Sequence, residues 1–300
     1  MIAADVRQVD FSPYRGTIDL VYGGPPCQPF SSGGLRRAVA DERDMIPEFI
    51  RAVREIRPRA VVMENVPGLK AAERSSYLAS IIEQFNELGF QTVHAVLNSA
   101  DFAVPQNRRR LFVVAMTGTS FTFPHTSSGP FGDRRRVAAR DVLGNEPNGE
   151  LNPSKVFYAK NPDLRPGPYD GHLFNGGGRP INLDGPCHTI LASAGGNKTH
   201  FLDLLGIVPE YHRHLASGGR PYEGELPGAR RLTVAESAMI QSFPSWLPFH
   251  GPRSAQYHQI GDAVPPLVAK AIGIAITKQL TRRASRTAVP SRFSSRITVS

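Results

Sequence analysis

Ile18-Asp19-Leu20-Val21-Tyr22-Gly23-Gly24-Pro25-Pro26-Cys27-Gln28-Pro29-Phe30-Ser31 decides the fold. Its first five residues are apolar and β-branched enough to read as a strand. The residues after them form a Pro-rich loop. Two adjacent prolines fix φ and remove two backbone donors, so the loop is stiff. Open α/β sheets place their chemistry in stiff loops at the carboxyl ends of strands. Cys27 therefore reads as a positioned nucleophile.

Working outward, strand and helix signals alternate through about residue 115, the pattern of βαβ units and a mostly parallel sheet. Ile46, Phe49, Ile50, Val53 and Ile56 recur at helical spacing, so the spacing predicts a helix over 44–56, ended by Pro58. Ala60-Val61-Val62-Met63 is a second strand running into Glu64-Asn65-Val66. A helix is expected over 75–88, stopped by Gly89, with strands over 91–97 and 111–116. From about Thr117 glycine and proline become dense and helical periodicity disappears through about Ala229, as in a small loop-rich lobe. Helical signals return over 233–241 and 267–278.

The chain has 300 residues, 40% hydrophobic, with a formal charge of +9 and a pI near 9.9. Five arginines and no acid lie in 281–300, leaving +4 for the rest. That segment reads as a disordered basic tail. A polyanionic partner suits the charge. Two cysteines, Cys27 and Cys187, do not make a disulfide framework and point to a reducing, cytosolic setting. No apolar run is expected to reach membrane-span length; the longest candidate, 267–276, is interrupted by Lys270 and too short. The start lacks the pattern of a signal peptide. The histidines have no ligand spacing, so no metal site is expected.

Taken singly, a cysteine is usually a small buried hydrophobe, a glutamate after a strand a surface charge, and an Arg run a solvated face. Their coincidence carries the reading. Cys27 and Glu64 each end an inferred strand, and adjacent strand ends open into one crevice. Arg108 and Arg110 precede the strand at 111–116, and alternation would point both the same way. Guanidinium donors form a fixed fork suited to phosphates and carbonyl oxygens.

These residues resemble the DNA (cytosine-5) methyltransferases. Gly23–Ser31 resembles that family's catalytic loop, and Glu64-Asn65-Val66 its Glu-Asn-Val motif. Gln106-Asn107-Arg108-Arg109-Arg110 is similar to its Gln-x-Arg-x-Arg motif. Arg231-Leu232-Thr233, Glu236 and Gln241-Ser242-Phe243-Pro244 resemble the motif after the target-recognition region. Gln259-Ile260-Gly261-Asp262-Ala263-Val264-Pro265-Pro266 is similar to the C-terminal motif. The five stand in the family's order and span nearly the whole chain to about residue 280. The resemblance implies an α/β S-adenosylmethionine-dependent methyltransferase with a doubly wound sheet and a small irregular recognition lobe. It implies a catalytic domain over 1–150, a target-recognition region over 151–228, a return to the catalytic domain over 229–280, and the tail.

By the same resemblance Cys27 adds to cytosine carbon 6, splitting one hard step into two. Glu64 contacts ring N3 and the exocyclic amine. Arg110 reaches the O2 carbonyl, where negative charge develops, and Arg108 orients the site or its backbone. The methyl group comes from S-adenosylmethionine, with Asp5, Pro26, Asp262 and Val264 as its contacts. The base must leave the duplex to be reached. Gln28 and Ser31 then steady the backbone. Loop 32–43, hinged at Gly33-Gly34 and carrying Arg36 and Arg37, closes over the DNA. Pro186-Cys187-His188-Thr189-Ile190 contains a Thr-Ile pair typical of the recognition region. Gly195–His200 is polar and flexible enough to read base edges. Cys187 is expected to be packed.

The N-terminus departs from the family. Its Phe-x-Gly-x-Gly cofactor loop and its acidic ribose ligand are missing, and Asp5-Val6-Arg7 resembles its third cofactor motif. The expectation is an N-terminally truncated fold in which Ile18–Tyr22 is an exposed apolar edge. A misassigned start, a second chain supplying the missing strands, and a decayed remnant are competing origins. Asp262 stands where the family usually has Asn, keeping the acceptor but losing the amide donor and adding charge. The expected activity is cytosine-5 methylation of duplex DNA by a cytoplasmic, nucleoid-associated modification enzyme. A tRNA cytosine methyltransferase and an inactive DNA-binding fragment or subunit are the alternatives. A cysteine hydrolase has no histidine partner motif here.

Overall fold

The strand heading the Pro-rich loop forms over Leu20–Gly23 (β1). The computed structural model describes residues 3–26, 43–129, 132–144 and 146–287, with side chains through 281. Cys27, Gln28, Ser31, Arg36, Arg37 and most of loop 32–43 lie outside the described residues. The chain forms two compact units: Met1–Val96, Leu111–Pro124 and Ile272–Ser300 in the first, Leu97–Arg110 and His125–Ala271 in the second.

In the first unit, β1 is followed by α1 (Ile46–Ile56), β2 (Ala60–Asn65), α2 (Ser75–Glu87) and β3 (Phe90–Asn98). The two-residue β4 (Gln106–Asn107) precedes β5 (Arg109–Thr117). The sheet order is β1-β2-β5-β3. The helical spacing read from the sequence has a packing cause: Ile46, Ile50 and Val53 of α1 and Leu78, Ile81 and Phe85 of α2 enter one core with Val61, Met63, Leu111 and Val113. α1 ends on Arg57 in the left-handed region (φ 55), with Pro58 behind it. β5 is buried on both faces from Leu111 to Met116, as a central strand requires.

One strand departs from the parallel pattern. β1 and β2 are parallel, but β5 runs antiparallel to β2, with Asn65 opposite Leu111 and Ala60 opposite Met116. A parallel return needs a crossover of a dozen or more residues, usually a helix. The link from β3 to β5 carries only a short 3-10 turn at Ser99–Phe102 and β4. Among the described residues β1 pairs with β2 alone, and Tyr22 on it is 79% exposed.

In the second unit three two-stranded pairs replace a sheet. β4 pairs in parallel with β8 (Cys187–His188); β6 (Tyr158–Asp163) and β7 (His172–Phe174) are antiparallel, as are β9 (Phe201–Asp203) and β10 (Ala229–Arg231). Two small cores serve it, one around Ile190, Leu232 and Ile260 and one around Phe174, Phe201 and Tyr211.

The expected loss of helix through Ala229 is also corrected. α3 (Ile207–Ala216) buries Val208 and Tyr211, spaced i, i+3. Pro209 reads as a breaker, yet it sits in the first turn, where its missing N–H costs nothing. Asp203 Oδ2 accepts from Val208 N at 2.7 Å and fixes that turn. α4 (Val234–Ile240) starts with a reciprocal cap: Thr233 Oγ1 accepts from Glu236 N at 3.0 Å, and Glu236 accepts from Thr233 N at 2.9 Å.

α5 (Arg253–Asp262) and α6 (Pro266–Thr287) follow. Residues 253–281 are long and apolar enough overall for a membrane span. They are two helices broken at Ala263-Val264-Pro265, with Tyr257, Ile260, Val268, Ile272 and Ile276 buried. The tail expected to be disordered from 281 is helical through Thr287. Arginine and alanine are good helix formers and prolong a helix already nucleated.

Candidate functional site

The described head of the Pro-rich loop is held from two sides. Glu64 and Asn65 end β2, the strand next to β1. A Cβ on Gly24 would stand 3.1 Å from Glu64 Oε2, so glycine lets the half-buried carboxylate lie against the loop's main chain. Asn65, 6% exposed, donates from Nδ2 to Pro25 O at 3.1 Å, and its Oδ1 accepts from Val66 N at 2.9 Å. Pro26 O accepts from Met45 N at 3.0 Å. The carbonyls of Pro25 and Pro26 thus both accept from donors outside the loop. Cys27 follows directly on this anchored segment. The sequence carried Asn65 inside a motif without giving it a task; the structure gives it one.

In the second unit the Arg motif does not alternate as expected. Arg108 lies between β4 and β5, outside both, and is 1% exposed. Its guanidinium donates to Ile190 O at 3.1 Å and to Gly261 O at 2.7 Å. Arg110 is half-buried, inside β5, and donates to Arg109 O at 2.8 Å. Alternation presupposes one continuous strand, and the break at Arg108 separates the two environments. Arg108, expected with the catalytic group as an orienting residue, joins the Thr-Ile segment to the C-terminal motif.

Gln106, which opens the Arg motif, and Gln241, inside the motif that begins at Arg231, are both fully buried. Gln106 Nε2 donates to Gln241 Oε1, and its Oε1 accepts from Ile190 N at 3.0 Å. Gln241 Nε2 donates to Ile260 O at 2.8 Å and Ala263 O at 3.0 Å. A primary amide carries both donors and acceptors, so it can bridge main-chain segments in a core. Three motifs distant in sequence are thereby locked together.

The expected cofactor contacts fall in both units. In the first, Asp5 is exposed and its carboxylate accepts from Arg7 N at 3.0 Å and Nη2 at 2.6 Å; those bonds hold it below the usual carboxylate range. An exposed carboxylate is a chemically suitable acceptor for an adenine amine. Pro26 is also exposed. In the second unit Asp262 ends α5, exposed, with Oδ2 2.8 Å from His258 Nδ1, and Val264 is half-buried. An acceptor and an apolar wall fit parts of S-adenosylmethionine, whereas the Asp262 anion opposes its carboxylate.

The recognition candidates are more rigid than expected. Thr199 and His200 are buried, and Gly195–His200 is tied down at several points rather than free. Cys187 is 1% exposed, and burial pushes its thiol up to about 12, so it is packed and inert. Among the described residues no group of three or more His, Cys, Asp or Glu could hold a metal.

Comparison with known proteins gives these features a family. The model of the C-5 cytosine-specific DNA methylases matches residues 1–278. The Type II methyltransferase M.AplI of Arthrospira platensis is 35% identical over 275 residues, 89% of this chain and 71% of the relative. M.NgoMIV of Neisseria gonorrhoeae, also a Type II methyltransferase, is 32% identical over 294 residues, 94% of this chain and 84% of the relative. Among solved structures, the Dnmt2 methyltransferase of S. pombe superposes with a TM-score of 0.61 at 14% identity, covering 93% of this chain and 84% of that one. The Entamoeba histolytica methyltransferase EhMeth gives 0.62 at 14% identity, covering 93% and 83%. The chain belongs to the C-5 cytosine-specific DNA methylases, which move a methyl group from S-adenosylmethionine to carbon 5 of cytosine in DNA.

Proposed function

We propose that this chain methylates a flipped cytosine in duplex DNA with Cys27 as nucleophile, Glu64 and Arg110 as its partners, and Arg108 as a positioning residue. The observation that carries the assignment is the anchoring of Pro25 by Asn65, with Glu64 lying close to Gly24, immediately before Cys27 in the chain. The Cys27 thiolate adds to carbon 6 of the ring, carbon 5 then takes the methyl group, and loss of the carbon 5 proton expels the thiolate, so Cys27 is regenerated. Glu64 holds a proton at N3 and accepts from the 4-amino group. Arg110 stabilises the negative charge that develops at O2. S-adenosylmethionine, when bound, supplies an electrophilic methyl group, with Asp5, Pro26, Val264 and Asp262 as its contacts on this chain. Gln28, Ser31, Arg36 and Arg37 hold the displaced DNA backbone.

Among the described residues β1 pairs with β2 alone and carries an exposed tyrosine, which supports a further assignment: a second chain lays a strand beside β1. The enzyme acts in the cytoplasm, on the nucleoid, as a modification methyltransferase of the kind named for its relatives.

The test is transfer of a labelled methyl group from S-adenosylmethionine to mixed-sequence duplex DNA, with Cys27→Ser beside the wild type. Incorporation that vanishes in the variant is expected. A covalent adduct with 5-fluorocytosine DNA, also lost in the variant, would identify Cys27 as the bond-forming residue. DNA binding without adduct, even after adding a polypeptide carrying the family's first strands, would make the chain an inactive binding fragment. Transfer to tRNA in place of duplex DNA would overturn the substrate.

A further inference from the structure

We propose that Asn197 and Lys198 are the DNA-reading pair of this enzyme, Asn197 recognising one base pair through its amide and Lys198 holding an adjacent phosphate. This rests on the DNA-methylation reading above.

The turn that carries them is fixed at every main-chain position that matters. Gly195 and Gly196 take φ of +131° and +53°, and Gly196–Lys198 forms a 3-10 turn. Thr199 Oγ1 accepts from Gly195 N at 3.0 Å and from Asn152 Nδ2 at 3.2 Å. Thr199 O accepts from the buried Arg231 Nη1 at 2.7 Å. The next residue, His200, accepts from Arg179 N at 3.0 Å and donates to Thr189 O at 3.0 Å.

A second loop, Gly176-Gly177-Gly178, lies against the turn backbone to backbone. Gly178 N donates to Asn197 O at 3.3 Å. A Cβ on Gly176 would stand 2.3 Å from Asn197 O, and one on Gly178 2.0 Å from Thr199 O. Only glycine permits this layering, and its effect is to rigidify the turn.

Against that fixed main chain, the Asn197 and Lys198 side chains are exposed and have no hydrogen-bond or ion-pair partner among the described residues. Arg135, Lys155 and Arg165 of the same unit are, by contrast, ion-paired with Asp141, Glu225 and Asp163. A carboxamide presents a donor and an acceptor in one plane, the complement of adenine N7 and N6 in the major groove. A lysine one residue away supplies a point charge that positions without reading. Such readout needs the amide held in one place, and an anchored turn with an unpartnered amide provides that. A structural residue would instead have its amide satisfied inside the fold.

The experiment is selection from a randomised duplex DNA library with the full-length chain, comparing wild type, Asn197→Ala and Lys198→Ala, with thermal midpoints confirming folding. Binding selection needs no methyl transfer. The wild type should enrich a motif containing an A·T pair that Asn197→Ala relaxes by roughly 5- to 150-fold. Lys198→Ala should weaken all sequences alike and lower the slope of log affinity against log salt by about 1. An unselective wild type, or variants that keep its motif and its salt slope, would overturn the inference. Methyl transfer measured in parallel separates the two readings: selection without transfer supports this one and removes the activity, while transfer indifferent to Asn197 does the reverse.

Discussion

Asn65 Nδ2 lies 3.1 Å from Pro25 O, so the residue after the candidate glutamate grips the loop that carries the candidate nucleophile. One side chain thereby sets the spacing between the end of β2 and the start of the Cys27 loop. It also explains why an amide stands there: Oδ1 accepts from Val66 N while Nδ2 reaches the proline carbonyl.

Asn65→Ala leaves that carbonyl and Val66 N without their partner. A stability loss of about 1–3 kcal/mol is expected in urea unfolding. Methyl transfer should fall further than the loss of folded protein explains. Asn65→Asp keeps the Val66 bond and loses the donor to Pro25, so it should share the activity defect with less destabilisation. Full activity in Asn65→Asp would remove the positioning role.

Arg108 and Arg110 should separate cleanly. Arg108→Ala strands two carbonyls, Ile190 O and Gly261 O, in a buried site and should cost about 2–5 kcal/mol in chemical denaturation. Arg110→Ala should stay within about 0.5 kcal/mol of wild type, as a half-buried residue on a strand end does, yet lose turnover. Equal stability losses in the two variants would contradict the division.

Thiol titration should see one cysteine in the native chain. Burial keeps Cys187 protonated to about pH 12, so a thiol reagent at pH 8 should spare it. One reactive thiol is expected natively, none in Cys27→Ser, and two in denaturant. Rapid labelling of native Cys27→Ser would show that Cys187 is accessible.

His200 predicts a pH dependence of stability. Burial pulls its pKa down to about 4, and the Arg179 N–H pointing at Nδ1 requires the neutral ring. The unfolded chain, with an ordinary histidine near 6.5, binds the proton first. Stability is therefore full above about pH 6.5 and declines as pH falls towards 4, by roughly 3 kcal/mol. His200→Gln should flatten that decline, leaving the smaller contribution of His188, whose pKa burial also lowers. An unchanged slope in the variant would exclude His200 as its source.

Asp262→Asn should tighten S-adenosylmethionine binding, since it restores an amide donor and removes an anion near a carboxylate. It also breaks the 2.8 Å contact with His258. Both residues are more than half exposed, so stability should barely change. Calorimetry giving the same dissociation constant for both proteins would refute the idea.

Part of the fold and the family were legible in the chain before it folded. β1, α1, β2 and α2 were legible because each follows a local rule: β-branched runs, helical spacing of apolar residues, a proline or glycine stop. The five motifs stood in order. Tertiary structure decided what no local rule contains. The direction of β5 depended on the absence of a crossover helix before it. The roles of Asn65, Gln106, Arg108 and Gln241 depended on carbonyls brought to them from elsewhere in the chain. Gly195–His200 looked free because polar residues and glycine suit loops. It is fixed because Asn152, Arg179 and Arg231, on other segments, donate to the Thr199 hydroxyl, the His200 ring and the Thr199 carbonyl. Hydrogen-bond partners remote in sequence leave no periodicity, so they become visible only once the chain has folded.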